Sequence, residues 1–262
     1  MKLNIYQIDA FTDTIFKGNP ACVVPLENWL SDKTLLKIAE ENAVAETAFF
    51  INQKDFIELR WFTPEIEMDL CGHATLATAH CLKTILNFRK DKIIFKTLSG
   101  NLTVKVENDV YTLNFPSRVP IKSELPESIS KALNIQPRKV LKSRDYVLVY
   151  DTEEEVKNIE INRTIFDQIN LDMGGVITTA KGEDCDFVSR FFTPQASILE
   201  DMVTGSAHCS LIPFWSKQFK KEKLIAKQIS SRGGTLFCQN NGKNVLISGK
   251  AVTYSTGNFW IQ

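Results

Sequence analysis

The segment Arg60-Trp61-Phe62-Thr63-Pro64 returns as Arg190-Phe191-Phe192-Thr193-Pro194, 130 residues later in a chain of 262, so the period is half the length. Each copy is followed by a short acidic loop (Glu65, Glu67, Asp69; then Glu200, Asp201). A small-residue run then opens Gly72-His73-Ala74-Thr75 or Gly205-Ser206-Ala207-His208, and the two loops differ by three residues. A shared order of strand, acidic loop, glycine and apolar run is the mark of a duplicated unit. Two similar domains are therefore expected, 1–117 and 118–262. The break falls where Pro116, Ser117 and Pro120 interrupt the pattern, and the last ~10 residues are free to return to the first domain.

Within each half, short β-rich runs alternate with Gly, Asn, Asp and Pro. In the first they are Lys2 to Ile8, Ala21 to Val24, Thr47 to Ile51, Ile57 to Phe62, Ile93 to Lys96, Leu102 to Val106 and Tyr111 to Phe115. In the second they are Val147 to Tyr150, Gly175 to Thr179, Phe187 to Phe192, Gln228 to Ser231, Thr235 to Cys238 and Val245 to Ser248. Ser31-Asp32 is a start signal for a helix with Leu35, Leu36, Ile38 and Ala39 at helical spacing. Ala74 to Leu86 and Ser206 to about Trp215 are apolar enough to be helices buried on most sides, which requires a sheet wrapped around each.

Lys+Arg and Asp+Glu both number 31 and 44% of residues are hydrophobic, which excludes disorder. Zero net charge supplies no general attraction for nucleic acid or an anionic membrane. The one dense basic run, Lys217 to Lys223, follows an apolar stretch, contains Glu222 and reads as a solvated helix end. No stretch reaches 18 apolar residues, and Met1 to Ala10 lacks the features of a secretory signal, so a cytoplasmic protein is expected. The six cysteines read as reduced thiols, without a C-x-x-C pair, and His73, His80 and His208 lack zinc spacing; no metal is expected. Neither glycine-rich phosphate loop is present, so no nucleotide cofactor is expected.

A glycine followed by a small or polar residue at the start of a buried helix exposes N–H groups without intrahelical partners, at the positive end of the helix dipole. Gly72-His73 and Gly205-Ser206 are two such starts, and related by the duplication they are expected to face one another across a cleft and hold one small carboxylate. Glu46, in Asn42-Ala43-Val44-Ala45-Glu46-Thr47-Ala48-Phe49-Phe50, is flanked by small and apolar residues; desolvation there would raise its pKa toward that of a general acid/base acting on a carbon-bound proton. His73 and Asp201 titrate in useful ranges as well. Cys71 precedes a helix start, where a thiolate is favoured, but its counterpart in the repeat is Thr204, so a two-thiol racemase lacks its second base.

Asp9-Ala10-Phe11-Thr12, Gly18-Asn19-Pro20-Ala21, Glu46-Thr47-Ala48-Phe49, the two Arg-aromatic-Phe-Thr-Pro segments, Leu70-Cys71-Gly72-His73-Ala74-Thr75, Asp186-Phe187-Val188-Ser189-Arg190, Glu200 to Ala207 and Arg232-Gly233-Gly234 together resemble the PhzF family of phenazine-biosynthesis-like isomerases. The resemblance implies an α+β fold of two diaminopimelate-epimerase-like domains, each a curled, mostly antiparallel sheet around a central helix, with homodimers common. It implies Glu46 as the proton-shuttling residue, His73, Asp201 and Ser206 as substrate contacts beside Asn19, Gly72 and Gly205 as carboxylate-binding helix starts, and a dispensable Cys71. Met202 departs from the family's frequent Pro. The expected function is a cofactor-independent isomerase of biosynthetic type acting on a small carboxylate or amino-acid-like substrate. The rivals are a one-thiol racemase using Cys71 and a non-catalytic small-carboxylate binding protein.

Overall fold

The strand pairings repeat as the sequence does. The computed structural model describes residues 1–262, which form two compact units: Met1–Phe115 with Ile247–Gln262, and Pro116–Leu246. In the first, β1 (Lys2–Ala10) lies antiparallel between β18 (Ala251–Trp260) and β2 (Asn19–Leu26). Helix α1 (Asp32–Asn42) carries the chain to β3 (Glu46–Asn52), parallel to β2, as a parallel pair requires a crossover. Antiparallel to β3 runs β4 (Ile57–Phe62), which pairs with β5 (Glu67–Met68). Then come α2 (Gly72–His80), β6 (Lys92–Thr97) parallel to β4, and the antiparallel β7 (Gly100–Glu107) and β8 (Val110–Pro116).

The second unit opens with β9 (Ile121–Lys122), α3 (Glu127–Ala132) and β10 (Lys139–Lys142). It then repeats the scheme: β11 (Tyr146–Val149), a crossover through α4 (Glu153–Lys157) and α5 (Arg163–Phe166), parallel β12 (Val176–Lys181), antiparallel β13 (Phe187–Phe192) and β14 (Glu200–Asp201). Helix α6 (Gly205–Phe219) leads to β15 (Lys223–Gln228), parallel to β13, then to antiparallel β16 (Gly234–Asn241); β17 (Asn244–Gly249) follows and belongs to the second unit up to Leu246 and to the first from Ile247. The architecture is mixed α+β. No helix is long and apolar enough to cross a membrane.

Each unit is built around a buried helix. Every residue of α2 is buried, against β1, β2, β3 and β18. Its buried threonines are satisfied within the helix, Thr75 Oγ1 donating to the Cys71 carbonyl at 2.5 Å and Thr78 Oγ1 to that of Ala74 at 2.7 Å. The α-helical part ends at His80, short of the expected Leu86, because residues 81–85 form a π-helical turn in which the Leu86 N–H reaches the Cys81 carbonyl at 3.0 Å. Ser31 caps α1 by accepting from the Thr34 N–H, and Leu35, Ile38 and Ala39 form its buried face. The strand expected at Gln228 to Ser231 is β15 instead. Leu224, Ala226 and Gln228 alternate inward there, and lysines on the outer face hide the period. The basic run ends α6: Lys220 takes the left-handed capping conformation and Lys221 pairs with Asp186 at 2.7 Å.

The repeated Arg-aromatic-Phe-Thr-Pro segment forms the same bidentate ion pair twice. Arg60 Nε and Nη2 donate to Glu67 Oε1 and Oε2 at 2.7 and 2.6 Å, and Arg190 Nε and Nη2 to Glu200 Oε1 and Oε2 at 2.7 and 2.9 Å. Each guanidinium also covers the Phe two residues on, Phe62 at 5.1 Å and Phe192 at 4.9 Å. Arg190 in addition donates to the carbonyls of Val156, Lys157 and Ile159 where α4 ends, whereas Arg60 adds only the exposed Asp32. Arg190→Met should therefore cost about 3 kcal/mol of unfolding free energy in urea, and Arg60→Met less, because fewer half-buried acceptors are orphaned.

Two buried histidines are held neutral. Burial pushes His80, between Tyr111 Oη and Thr253 Oγ1 at 3.0 Å each, down to about 4, and His208, whose Nδ1–H donates to the Thr204 carbonyl at 2.8 Å, down to about 4. A depressed folded-state pKa gives stability that is complete above the unfolded value near 6.5 and lost as pH falls toward 4. The contribution of these two histidines, on the order of 3 kcal/mol each over the whole window, should shrink as pH falls from 7 to 5, so that His80→Gln and His208→Gln lose less of their urea midpoint over that interval than wild type does.

Candidate active site

Three chain segments bring Glu46 to His73. Gly18, at φ +66°, lets the chain pass so close to β1 that a Cβ would lie 2.2 Å from the Ala10 carbonyl oxygen, and this tight entry sets Asn19 at the head of β2. Helix α1 ends with Ala43 left-handed, and Asn42 Nδ2 donates to Thr47 Oγ1 at 3.1 Å across the loop, which fixes Glu46 as the first residue of β3 beside Ala21. The Arg60–Glu67 pair holds β5 on β4, from which the chain runs into Cys71-Gly72-His73 at the start of α2.

His73 is buried and Glu46 is mostly so, at 14% side-chain exposure. His73 Nε2 lies 3.0 Å from Glu46 Oε2, off the line of a good hydrogen bond, so the contact is chiefly electrostatic. On the other ring edge, Asn19 Nδ2 is 3.2 Å and Cys71 Sγ 3.6 Å from Nδ1. Protonated His73 carries an N–H on each edge, Nε2–H toward the Glu46 carboxylate and Nδ1–H toward the side-chain amide of Asn19, whose oxygen would be the acceptor. Burial alone would lower the His73 pKa, but the Cys71 and Glu46 contacts outweigh it and raise it well above 6.5. Burial pushes the Cys71 thiol itself up to about 11, so near neutrality it carries no charge, and Glu46 is the anion that holds the proton on His73. One donor atom from each of Glu46, Cys71 and His73 lies within 4.8 Å of the others, so these three are also the residues that a metal ion would find.

In the second unit the same loop leads to Thr204-Gly205-Ser206. Thr204 Oγ1 donates to Asp201 Oδ2 at 2.6 Å, and buried Gln228 accepts from the Thr204 N–H at 2.8 Å while donating to the Asp201 carbonyl at 2.7 Å. Neither Cys71 nor Thr204 caps its helix through its side chain, so the first N–H groups of α2 and α6 have no side-chain acceptor from the capping position. Asn19, Glu46, Cys71, Gly72 and His73 thus gather in the first unit, and Asp201, Gly205 and Ser206 in the second. Gln228 and the Arg144–Asp145 pair beside Ser206 escaped sequence reasoning; a buried glutamine at a strand end and an Arg-Asp turn carry no pattern that sets them apart.

The two units differ where proton chemistry is concerned. Thr47 pairs with Phe62 and Val176 with Phe192, the matched phenylalanines of the repeat, so the position of Glu46 corresponds to Gly175. A Cβ at Gly175 would fall 2.4 Å from the Phe191 ring and 2.7 Å from the Phe192 carbonyl oxygen, leaving no room for a second acid. A nitrogen-15 NMR titration should find the His73 midpoint well above that of an ordinary imidazole, and Glu46→Gln should lower it by removing the carboxylate.

Residues 8–257 match the phenazine biosynthesis-like protein family that contains PhzF. The chain is 44% identical over 258 residues to an uncharacterized isomerase of Pseudomonas aeruginosa, covering 98% of each sequence. A crystal structure of a PhzF-family phenazine biosynthesis protein from Enterococcus faecalis superposes with a TM-score of 0.94 at 40% identity, covering all of both chains. A hydroxyproline epimerase from Agrobacterium vitis shares the fold alone, with a TM-score of 0.60 at 9% identity over 98% of this chain and 92% of that one. A full-length match of this kind, around a buried Glu–His pair, makes the chain a member of the PhzF family of phenazine biosynthesis-like proteins, and an isomerase.

Proposed function

We propose that the protein moves a carbon-bound proton in a small carboxylate or amino-acid-like substrate, without a cofactor, and that Glu46 is the general acid and base. The observation that carries this reading is the Glu46–His73 contact: a largely dehydrated carboxylate 3.0 Å from a buried imidazole. In this reading Glu46 takes the proton from carbon, and the cationic His73 stabilises the negative charge that develops on the substrate. Asn19, Gly72, Asp201, Gly205 and Ser206 are assigned to substrate contacts, with the carboxylate on uncapped helix N–H groups. Because Gly175 stands at the position matched to Glu46, one residue must serve for both removal and return of the proton. The neutral Cys71 thiol, with Thr204 as its counterpart, speaks against a thiol base. Cytoplasmic location and assembly as a homodimer belong to the same proposal; exposed Tyr254 and Trp260 on β18 offer apolar surface for the latter.

Proton NMR in D2O tests it, with wild type, Glu46→Gln and Cys71→Ser each given a panel of small amino acids, hydroxy acids and enol-type carboxylates. Wild type and Cys71→Ser should wash out a carbon-bound proton from one substrate class, and Glu46→Gln should do so at least about 100-fold more slowly. Full turnover by Glu46→Gln would defeat the mechanism. Ligand-dependent stabilisation without exchange in any variant would mean a binding protein.

A further inference from the structure

The turn before β11 is fastened to one face of α6. Ser143 Oγ lies 2.7 Å from Ser210 Oγ, and Arg144 Nη2 donates to Ser206 Oγ at 3.0 Å, four residues earlier and so on the same face. Behind the arginine, the carboxylate of Asp145 is wholly buried. Arg144 Nε and Nη2 reach its Oδ1 and Oδ2 at 3.0 Å each, and the Gly175 N–H donates to Oδ1 at 3.0 Å. This clamp sets the plane of the guanidinium, whose rigid fork then directs the second Nη2 proton at Ser206.

Two consequences follow for Ser206. Its oxygen accepts from a cation, so the hydroxyl is left with its own proton to give, and the group that takes it must be an acceptor. The charge of Arg144 is balanced by Asp145, and the dipole of α6 makes this helix end positive, so an anionic acceptor is favoured for the Ser206 proton. In the corresponding place of the first unit His73 matches Ser206, and its neighbour is the Glu46 carboxylate. The residue matched to Glu46 is Gly175, whose N–H is spent on Asp145.

We infer that Arg144 is a positioning residue for substrate recognition: braced on Asp145, it holds Ser206 as a committed donor to the carboxylate of the substrate. The inference rests on the proposed reading that a substrate carboxylate meets the start of α6.

Acetate is the probe, titrated while the backbone amide signals of Gly205, Ser206 and Ala207 are followed by NMR in wild type, Arg144→Lys, Ser206→Ala and the double variant. Lysine keeps a cation beside Asp145 but cannot form the fork, so fold stability should be retained. Saturable binding is expected in wild type, about tenfold weaker in Arg144→Lys and in Ser206→Ala, and no weaker in the double variant than in Ser206→Ala alone. Should Arg144→Lys fail to fold, the paired change Arg144→Gln with Asp145→Asn removes both charges and replaces it. Wild-type affinity in the arginine variant, additive losses in the double variant, or no saturation at these amides would overturn the inference. Deuterium exchange is read separately on the same samples, so a failure of Glu46 as base is told apart from a failure of Arg144.

Discussion

The structure hangs on a bidentate arginine–glutamate pair made twice. Two parallel N–H···O bonds between planar groups fix distance and orientation together, which one ion pair cannot do. In each unit the pair ties a two-residue acidic strand to the strand that bears the arginine, and the next residues open the buried helix. Exposed ion pairs contribute little, but these four side chains are between 14% and 22% exposed, with a phenylalanine ring on the arginine. The clamp lets a loop that differs by three residues between the copies arrive at the same helix start.

Duplication then frees the functional positions to diverge while the frame stays. Cys71 corresponds to Thr204, His73 to Ser206 and Glu46 to Gly175 in the register of the repeat, although the order of parallel and antiparallel pairings is the same. The first unit keeps a titratable pair at its helix start. In the second, a hydroxyl linked to a buried ion pair occupies that place. A repeated scaffold thereby carries two chemically different helix starts.

Much of the frame was legible because its signals are local. The Arg-aromatic-Phe-Thr-Pro repeat marks the two strands β4 and β13 to the residue, and Ser31 with Leu35 and Ile38 marks α1. Short or polar pieces were not: β9 and β10 carry little apolar alternation, the mostly exposed β18 is defined by pairing with β1, and the lysine face of β15 hid its inward row. Glu46 and His73 were singled out by flanking residues and by helix position. Their distance is set by the Gly18 passage, legible only as part of the Gly18-Asn19-Pro20-Ala21 motif, and by the Asn42–Thr47 bond, which has no readable pattern.

What separates this site from a generic buried ion pair is the neutral thiol beside it. Cys71 lies 3.6 Å from the His73 ring in the same dehydrated space, and an acidic thiol there would compete with Glu46 for the imidazolium. Burial pushes it up to about 11, so the histidine answers to one anion near neutrality. The thiol fills space and leaves the Glu46 carboxylate as the charged partner at the Nε2 edge of His73, with Asn19 at the opposite edge. Charge at this helix start is thus confined to the Glu46–His73 pair by the same exclusion of water that keeps the neighbouring thiol neutral.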